Sequence, residues 1–113
     1  MNLQLPYPPS VNTYWRHCRG RTFVSRAGKL YQSAVCALVG SVEPITRDVA
    51  IAVIACPPDA RKRDLDNLLK ATLDALTAAR VWQDDNQVKR IELRWGKKIK
   101  GGCLEVAIEP IEN

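Results

Sequence analysis

The amino-acid sequence predicts one small domain of the α/β (α+β) class, with two main helices packed on a mixed β-sheet of about four strands. The chain has 113 residues, enough for one hydrophobic core but not for two ordinary domains. Its composition, 46% hydrophobic and 26% charged, is typical of a globular protein. Segments with the alternation of strands are interspersed with segments of helical periodicity. Residues 1–113 are therefore treated as a single domain.

The first half of the chain predicts a short strand, a long loop and a helix. Leu3 and Leu5 alternate with polar residues before a proline-rich segment, which ends the strand. Residues 10–24, where arginines are interleaved with aromatic residues, predict a long basic loop. Ser25 is suited to cap a helix, and apolar residues then recur at helical spacing up to Gly40.

The second half predicts a central strand, a second helix and two further strands. Residues 49–54 are apolar on both faces, as expected for a strand inside a sheet. An amphipathic helix is predicted to begin at or just after Asp66, with this residue as its N-cap. Residues 91–95 and 104–108 alternate between apolar and polar, and the glycines between them predict that these two strands form a hairpin.

The aromatic residues fall into two groups. Trp82 and Trp95 lie at apolar positions of their segments, so both are predicted to belong to the core. Tyr14, Trp15 and Phe23 lie among the arginines of the basic loop. They either cover the small core or stack on unpaired bases of a nucleic acid.

Basic residues exceed acidic residues, 17 to 12, which gives a net charge of +5. They concentrate in three stretches, around residues 16–29, 61–63 and 97–100. Such patches on a small domain favour phosphate binding over a merely solvated surface. The residues expected to contact DNA phosphates are Arg16, Arg19, Arg21, Arg61, Lys62, Arg63, Lys97 and Lys98.

The sequence carries no sign of secretion or of a membrane segment. Its four cysteines lack the C-x-x-C spacing of a zinc site. The N-terminus lacks the basic and apolar regions of a signal peptide. The longest apolar run, from Val49 to Cys56, is much shorter than a bilayer-spanning helix. We therefore expect a cytoplasmic protein with free thiols and no membrane partner.

Acidic residues cluster where the central strand gives way to the second helix. Asp64 and Asp66 share one side of the chain if this segment is extended, and Lys70 lies one turn beyond Asp66. Asp84 and Asp85 follow the same helix. A lone pair of acids is more often a helix cap with a solvated neighbour. The three preceding basic residues favour instead a site for a divalent cation and a phosphate.

A divalent cation would explain why acids and bases are placed together. Mg²⁺ prefers oxygen ligands and retains several waters, so two or three carboxylates suffice to bind it. Such an ion polarises a scissile phosphate and lowers the pKa of the attacking water. Lys70 is suited to stabilise charge that develops on the phosphate oxygens. Without the ion, the clustered acids would repel each other and the DNA.

Three segments in order resemble the RusA family of Holliday-junction resolvases. The first is Pro8-Pro9-Ser10-Val11-Asn12, followed by Tyr14. The second is Arg63-Asp64-Leu65-Asp66-Asn67-Leu68 with Lys70, followed by Leu73-Asp74-Ala75-Leu76. The third is Trp82-Gln83-Asp84-Asp85-Asn86-Gln87-Val88. Together they cover most of the chain, and their order makes the resemblance more specific than any one segment does.

The resemblance implies a crossover junction endodeoxyribonuclease of bacteria or phages, which resolves four-way DNA junctions by symmetric paired nicks in recombination or repair. It implies a homodimer and Mg²⁺, with Mn²⁺ as a substitute, and no organic cofactor. The implied metal ligands and catalytic acids are Asp64, Asp66 and Asp85, with Lys70 as the catalytic lysine. Asn67, Asp84 and Gln87 are either supporting groups around the site or ordinary turn and cap residues.

The dimer interface is expected on the apolar face of the second helix and on the N-terminal segment. Asp74, two turns beyond Asp66, is expected to be a structural or solvated helix residue. Three other functions remain open at this point. The chain is alternatively a non-catalytic DNA-binding module, a different metal-dependent nuclease such as a ribonuclease, or a phage structural or regulatory protein.

Overall fold

The computed structural model describes residues 1–112 and shows a mixed four-stranded sheet with two main helices, which confirms the predicted class. A short helix and a separate two-stranded sheet are added to this core. The elements in order are β1 (Asn2–Pro6), α1 (Val11–Tyr14), β2 (Trp15–Cys18), β3 (Arg21–Val24), α2 (Arg26–Val39), β4 (Val49–Cys56), a 3₁₀ turn (Leu65–Leu68), α3 (Leu69–Ala78), a second 3₁₀ turn (Asp85–Gln87), β5 (Val88–Trp95) and β6 (Cys103–Pro110).

The strands of the main sheet lie in the order β1-β6-β4-β5. The interior position predicted for β4 is confirmed, since it pairs antiparallel with β6 and parallel with β5. The predicted hairpin of β5 and β6 is wrong, because β4 lies between them. The glycine-containing loop crosses the end of β4, where the Gly96 and Ile99 amides donate to the Ala55 and Pro57 carbonyls. Parallel β4 and β5 are joined through α3, the helical crossover that parallel strands require.

The core lies on one face of the sheet, beneath α2 and α3. Val49, Ile51 and Val53 of β4 are at most 2% exposed, and they belong to one cluster with buried residues of both helices. The apolar face of α3, which contributes Ala75 and Leu76 with no exposed surface, is buried within a single chain. The prediction that this helix face forms a dimer interface is therefore wrong.

The basic segment of residues 10–24 is not a long loop, as predicted, but contains α1 and the β2–β3 hairpin. Ser10 caps α1 through its hydroxyl, which accepts from the Thr13 amide. Arg19 and Gly20, both with positive φ, form the two-residue turn between β2 and β3. The strands escape sequence prediction because the hairpin is exposed on both faces, so no apolar alternation marks it.

The ends of the two main helices differ in how well the sequence predicts them. The Ser25 hydroxyl accepts from the Gly28 amide, and Gly40 ends α2 with a positive φ, so both predicted ends are confirmed. The prediction that Asp66 caps the second helix is wrong. Asp66 lies inside the 3₁₀ turn, in which the Asn67 amide donates to the Asp64 carbonyl, and α3 begins at Leu69.

Two tryptophans predicted to be buried have different environments. Trp82 is fully buried, as predicted, and its Nε1 donates to the Thr77 hydroxyl. Trp95 is 38% exposed, so its predicted place in the core is wrong. The cause is the sheet order, which places β5 at an edge, beyond most of the helical cover.

In the described part of the chain, no helix is long and apolar enough to cross a membrane. The four cysteines are free thiols.

Candidate functional site

The segment that follows β4 lies between two open grooves. The larger groove, of about 930 Å³, has Asp64 and Asn67 on one side and Trp95 and Lys98 on the other. The smaller, of about 510 Å³, lies between the same acidic segment and the N-terminal Pro-Pro-Ser segment at residues 8–10. Two of the three sequence segments singled out above therefore meet at one groove.

Ion pairs shape this segment. The Asp59 carboxylate accepts from the Arg63 guanidinium at 2.8 Å and from the Arg61 amide at 2.9 Å. The hydrogen bond from Arg63 is the main reason that the pKa of Asp59 is well below its usual value. Arg63 also donates to two backbone carbonyls and lies 5.8 Å from the centroid of the Tyr7 ring. Arg63 therefore holds the loop in shape, while its neighbours Arg61 and Lys62 are exposed to solvent.

A tight turn presents the second acidic pair just before β5. The Asp84 carboxylate accepts from the Asn86 amide and caps the 3₁₀ turn of residues 85–87. Buried Gln87 closes the turn, since its Oε1 accepts from the Gln83 and Asp84 amides at 2.9 and 3.0 Å. Its Nε2 donates to two carbonyls of the segment before β4, at 2.8 Å each. Gln87 is thus a turn-closing residue that fixes the position of the acid pair.

Asp85 is in an environment that resists its ionisation. Burial raises the pKa of Asp85 first, followed by a hydrogen bond with Asp84 and the negative charges of Asp84 and Asp74. The positive charge of Lys70 acts in the opposite direction. The structure therefore brings Asp85 within electrostatic reach of Asp74, Asp84 and Lys70 across the junction of α3 and the turn before β5. Raised carboxylate pKa values of this origin are common at functional sites.

An aromatic ring lies beneath Lys70. The Lys70 ammonium is 5.2 Å from the centroid of the Trp15 ring, within the range of a cation–π contact. Trp15 in turn meets the Tyr14 ring edge-on, with centroids 5.0 Å apart. Its Nε1 is buried and has no hydrogen-bond partner among the described residues. The sequence left open whether these rings cover the core or stack on bases, and the structure shows Tyr14 fully buried and Trp15 beneath the lysine.

A partly buried polar network between the helices supports this ring. The Tyr14 hydroxyl donates to the Asp74 carboxylate, and Gln32 Nε2 donates to both groups, at 2.9 and 2.8 Å. Burial and the hydrogen bond with Asp74 raise the pKa of Tyr14 well above its usual value, so this residue stays a neutral donor. The network joins α1, α2 and α3, and it gives Asp74 the structural role expected from its position in the helix.

The three acids named as metal ligands lie in two places. Asp64 faces the grooves, Asp66 is exposed in the first 3₁₀ turn, and Asp85 lies in the turn before β5. Among residues 1–112, no three acidic, histidine or cysteine side chains come close enough together to hold a metal ion. Asp84 and Asp85 are nevertheless consecutive acids at the start of the turn before β5, and the negative charge of Asp84 acts on Asp85. That pair fits a hard divalent cation, which needs few carboxylates once phosphate and water complete its coordination.

The basic residues expected at phosphates lie on three separate parts of the surface. Arg16, Arg19 and Arg21 are exposed on the β2–β3 hairpin. Lys97 and Lys98 are exposed in the loop after β5, and Lys98 lines the larger groove. Arg61 and Lys62 line the same groove as Lys98, beside Asp64.

Sequence reasoning missed two parts of the site. Nothing in the sequence besides its position after Pro57 and Pro58 marks Asp59 as important. Its ion pair with Arg63 forms only when the loop is folded. In the sequence, Gln32 looks like any other polar residue of α2. Its role could not be predicted because its hydrogen-bond partners are 18 and 42 residues away in sequence.

The fold and the site define a small basic α+β domain in which Asp64 lies in grooves lined by Arg61 and Lys62, with a second pair of acids in the turn before β5. The family model described as Endodeoxyribonuclease RusA matches residues 6–109. Because this match spans nearly the whole chain, the protein belongs to the RusA endodeoxyribonuclease family.

Relatives from bacteria and phages agree with this assignment. The crossover junction endodeoxyribonuclease RusA of Enterobacteria phage 82 is 44% identical over 115 residues, which covers 99% of this chain and 96% of the relative. That of Escherichia coli strain K12 is 42% identical with the same coverage. That of Enterobacteria phage HK97 is 40% identical over 112 residues, covering 96% of this chain and 93% of the relative.

Proposed function

We propose that this protein is a Mg²⁺-dependent crossover junction endodeoxyribonuclease that acts as a homodimer in the bacterial cytoplasm. It makes symmetric paired nicks in four-way DNA junctions during recombination or repair. The observation that carries the proposal is the family match over residues 6–109, joined to relatives of nearly equal length that bear this name. The effects of Asp84 and Lys70 on the pKa of Asp85 support these residues as the chemical centre of the proposal.

Oxygen ligands for the ion are assigned to Asp85, with Asp64 and Asp66 as the further carboxylates. When bound, Mg²⁺ would polarise the scissile phosphate and make a neighbouring water more acidic. The raised pKa of Asp85 marks a carboxylate whose charge is poorly compensated by the protein alone. A bound cation would stabilise the ionised form of such a carboxylate, and this favours Asp85 as a metal ligand.

Lys70 is assigned to the phosphate oxygens, where negative charge grows as the bond to the water forms. Its side chain is exposed, so it is accessible to DNA, and the Trp15 ring restricts where its ammonium lies. The positive charge of Lys70 acts to lower the pKa of Asp85, against the larger effects that raise it. The protein thus supplies a positive group at a defined place beside the acidic turn.

The exposed basic residues around the grooves are assigned to bind the phosphates of the DNA backbone. Arg61, Lys62 and Lys98 flank the acidic segment, and Arg16, Arg19 and Arg21 extend the basic surface along the hairpin. These contacts are with phosphates and carry no base preference by themselves. They are consistent with recognition of a junction by its shape.

The experiment that tests the proposal separates binding from cleavage. The variants Asp66→Asn and Asp85→Asn should bind a four-way junction with nearly wild-type affinity in a gel-shift titration, yet cut it at least about a hundredfold more slowly with Mg²⁺. The matched control is Asp48→Asn, an acid before β4 and outside the site. Normal cleavage by both site variants would reduce these acids to structural roles and place the catalytic centre elsewhere, whereas a wild-type protein that binds the junction without cutting it would leave a DNA-binding module as the function.

A further inference from the structure

One edge of the main sheet is open and carries exposed apolar side chains. β5 pairs only with β4, so its outer backbone amides and carbonyls have no strand partner in the described chain. Ile91 is 43% exposed and Trp95 is 38% exposed, while Leu93 between them is half-buried against the core. The unpaired backbone groups of a long, apolar edge strand can form hydrogen bonds with a strand of another chain.

The side chains of β5 are divided between two faces. The register with β4 places Ile91 beside Ile51, Leu93 beside Val53 and Trp95 beside Ala55, all on the helix side of the sheet. Arg90, Glu92 and Arg94 lie on the other side. Among residues 1–112 the salt bridges join Asp59 to Arg61 and Arg63, so these three charged residues form none within the chain. Both the apolar and the charged row of β5 therefore lack partners.

The opposite edge of the sheet is a poorer docking surface. β1 has five residues, whereas β5 has eight. It ends at Pro6, which has no amide hydrogen to donate to a ladder. Its exposed members Asn2 and Gln4 provide neither an apolar stripe nor a charge pattern.

We propose that a second copy of this chain pairs antiparallel with β5, joining two four-stranded sheets into one of eight strands about a two-fold axis at Leu93. A two-fold axis requires that residue i of one copy faces j of the other, and that j faces i in return. The proposal rests on the homodimer of the proposed function and deepens it by naming the surface and the register.

Charge and apolar complementarity together select the register. With Leu93 at the axis, Glu92 faces Arg94 of the second copy, and this pair occurs twice. On the other face, Ile91 lies opposite Trp95 of the second copy, so the exposed apolar residues cover one another.

Neighbouring registers are worse. With Glu92 at the axis, glutamates face each other and Arg90 faces Arg94. With Ile91 at the axis, Arg90 faces Glu92 of the second copy, but Lys89 falls opposite Leu93 on the apolar face and Trp95 opposite the buried turn residue Gln87. Opposite charges across strands stabilise a pair, and like charges directly opposite destabilise it. Within residues 88–95, only the register with Leu93 at the axis combines opposite charges on one face with paired apolar side chains on the other.

The test measures oligomeric state without DNA, by light scattering on a sizing column over a dilution series. Wild-type protein should be a dimer. The single variants Glu92→Arg and Arg94→Glu should dissociate to monomers, because each places like charges opposite one another. The double variant carrying both changes should regain the dimer. Glu109→Arg, a matched charge reversal on exposed β6, should leave the dimer intact.

Register is tested by crosslinking. With exposed Cys18 replaced by Ser, a mixture of the Glu92→Cys and Arg94→Cys proteins should form a disulfide-linked heterodimer on oxidation. A mixture of Glu92→Cys and Lys89→Cys should form far less. A wild-type dimer whose single charge variants stay dimeric, or whose double variant stays monomeric, overturns the interface.

A monomeric wild-type protein also overturns the interface. Junction cleavage, measured separately on the same samples, then decides whether the nuclease proposal fails with it. If a monomeric protein cuts the junction, the dimer proposal fails and the nuclease proposal holds. If a dimeric protein does not cut the junction, the nuclease proposal fails and the interface proposal holds.

Discussion

The Lys70 ammonium lies 5.2 Å from the centroid of the Trp15 ring, at the N-terminal end of α3 and beside the acidic turn before β5. Trp15 is held from below by the edge of Tyr14, which is itself hydrogen-bonded to Asp74 and Gln32. The position of an exposed lysine is thus linked, through Trp15 and Tyr14, to a partly buried network among three helices. Long lysine side chains otherwise sample many rotamers, so this contact restricts the place of its charge.

Replacing Trp15 should slow cleavage more than it weakens DNA binding. A cation–π contact of this exposure contributes about 0.5–1 kcal/mol, so Trp15→Ala should lower the single-turnover cleavage rate by at least about two- to fivefold. Trp15→Phe keeps an aromatic face and should retain most of the rate. Quenched-flow cleavage of a saturating junction measures both, with Phe23→Ala on the exposed hairpin as the control. Equal rates for all four proteins would show that the ring does not position the lysine.

Loss of Gln87 should unfold the turn that carries Asp84 and Asp85. Its side chain makes four hydrogen bonds to backbone groups, so Gln87→Ala leaves two amides and two carbonyls without their partner. The free energy of unfolding should fall by about 2–4 kcal/mol, and cleavage should fall with it. Urea titration gives the first quantity and a junction assay the second. Gln83→Ala, an exposed neighbour, should change neither, and a Gln87 variant of wild-type stability would contradict the role given to this side chain.

The Tyr14 hydroxyl should contribute to stability through Asp74. Tyr14→Phe removes the buried donor and leaves the Asp74 carboxylate with Gln32 alone. Hydrogen bonds to charged groups contribute about 1.5–3 kcal/mol, which sets the expected loss in a denaturant titration. Tyr7→Phe is the matched control, because the Tyr7 hydroxyl has no hydrogen bond within residues 1–112. Equal losses in both variants would indicate a general effect of removing a hydroxyl.

Asp85→Asn should stabilise the metal-free protein at neutral pH while abolishing cleavage. The pKa of Asp85 is raised in the folded state, so the folded chain binds more protons than the unfolded chain just above the ordinary value of 3.8. Stability therefore falls as the pH rises through that window, and the cost persists at neutral pH. The asparagine variant has no charge at this position and does not pay the cost of ionisation. Its melting temperature should therefore exceed that of wild type at neutral pH and equal that of wild type below pH 3.8.

The control for this experiment is Asp84→Ala. This change removes the side chain that caps the turn, so it should lower the melting temperature. Mg²⁺ added to wild-type protein should raise its melting temperature, whereas the asparagine variant should respond less. An Asp85→Asn protein that melts below wild type at neutral pH would contradict the view that this charge is poorly compensated.

Much of the fold could be predicted because local patterns and tertiary packing agree. Ser25 and Gly40 mark the ends of α2 by their own chemistry, and the two-sided apolar run of β4 indicates an interior strand. The prediction that β5 and β6 form a hairpin is wrong, because glycines indicate only where a chain turns. Whether it turns back or crosses over β4 depends on the pairing of distant strands.

The sequence names candidate site residues but says little about their geometry. The acids and Lys70 are predicted from their spacing and from the family resemblance, and in the structure the charge of Lys70 acts on the pKa of Asp85. Asp66 was misplaced as a helix cap because a 3₁₀ turn, with its own backbone hydrogen bond, precedes α3. The support from Tyr14 and Gln32 could not be predicted, because it spans three helices that meet only in the folded chain.

The central claim, that this chain resolves crossover junctions, is tested most directly by one cleavage assay. A labelled four-way junction and a linear duplex of matching sequence are incubated with the protein, in parallel with Mg²⁺ and with EDTA. The account predicts paired, symmetric nicks in the junction alone, and none with EDTA. Cleavage of the linear duplex as fast as of the junction, or junction binding without nicks in Mg²⁺, would contradict it.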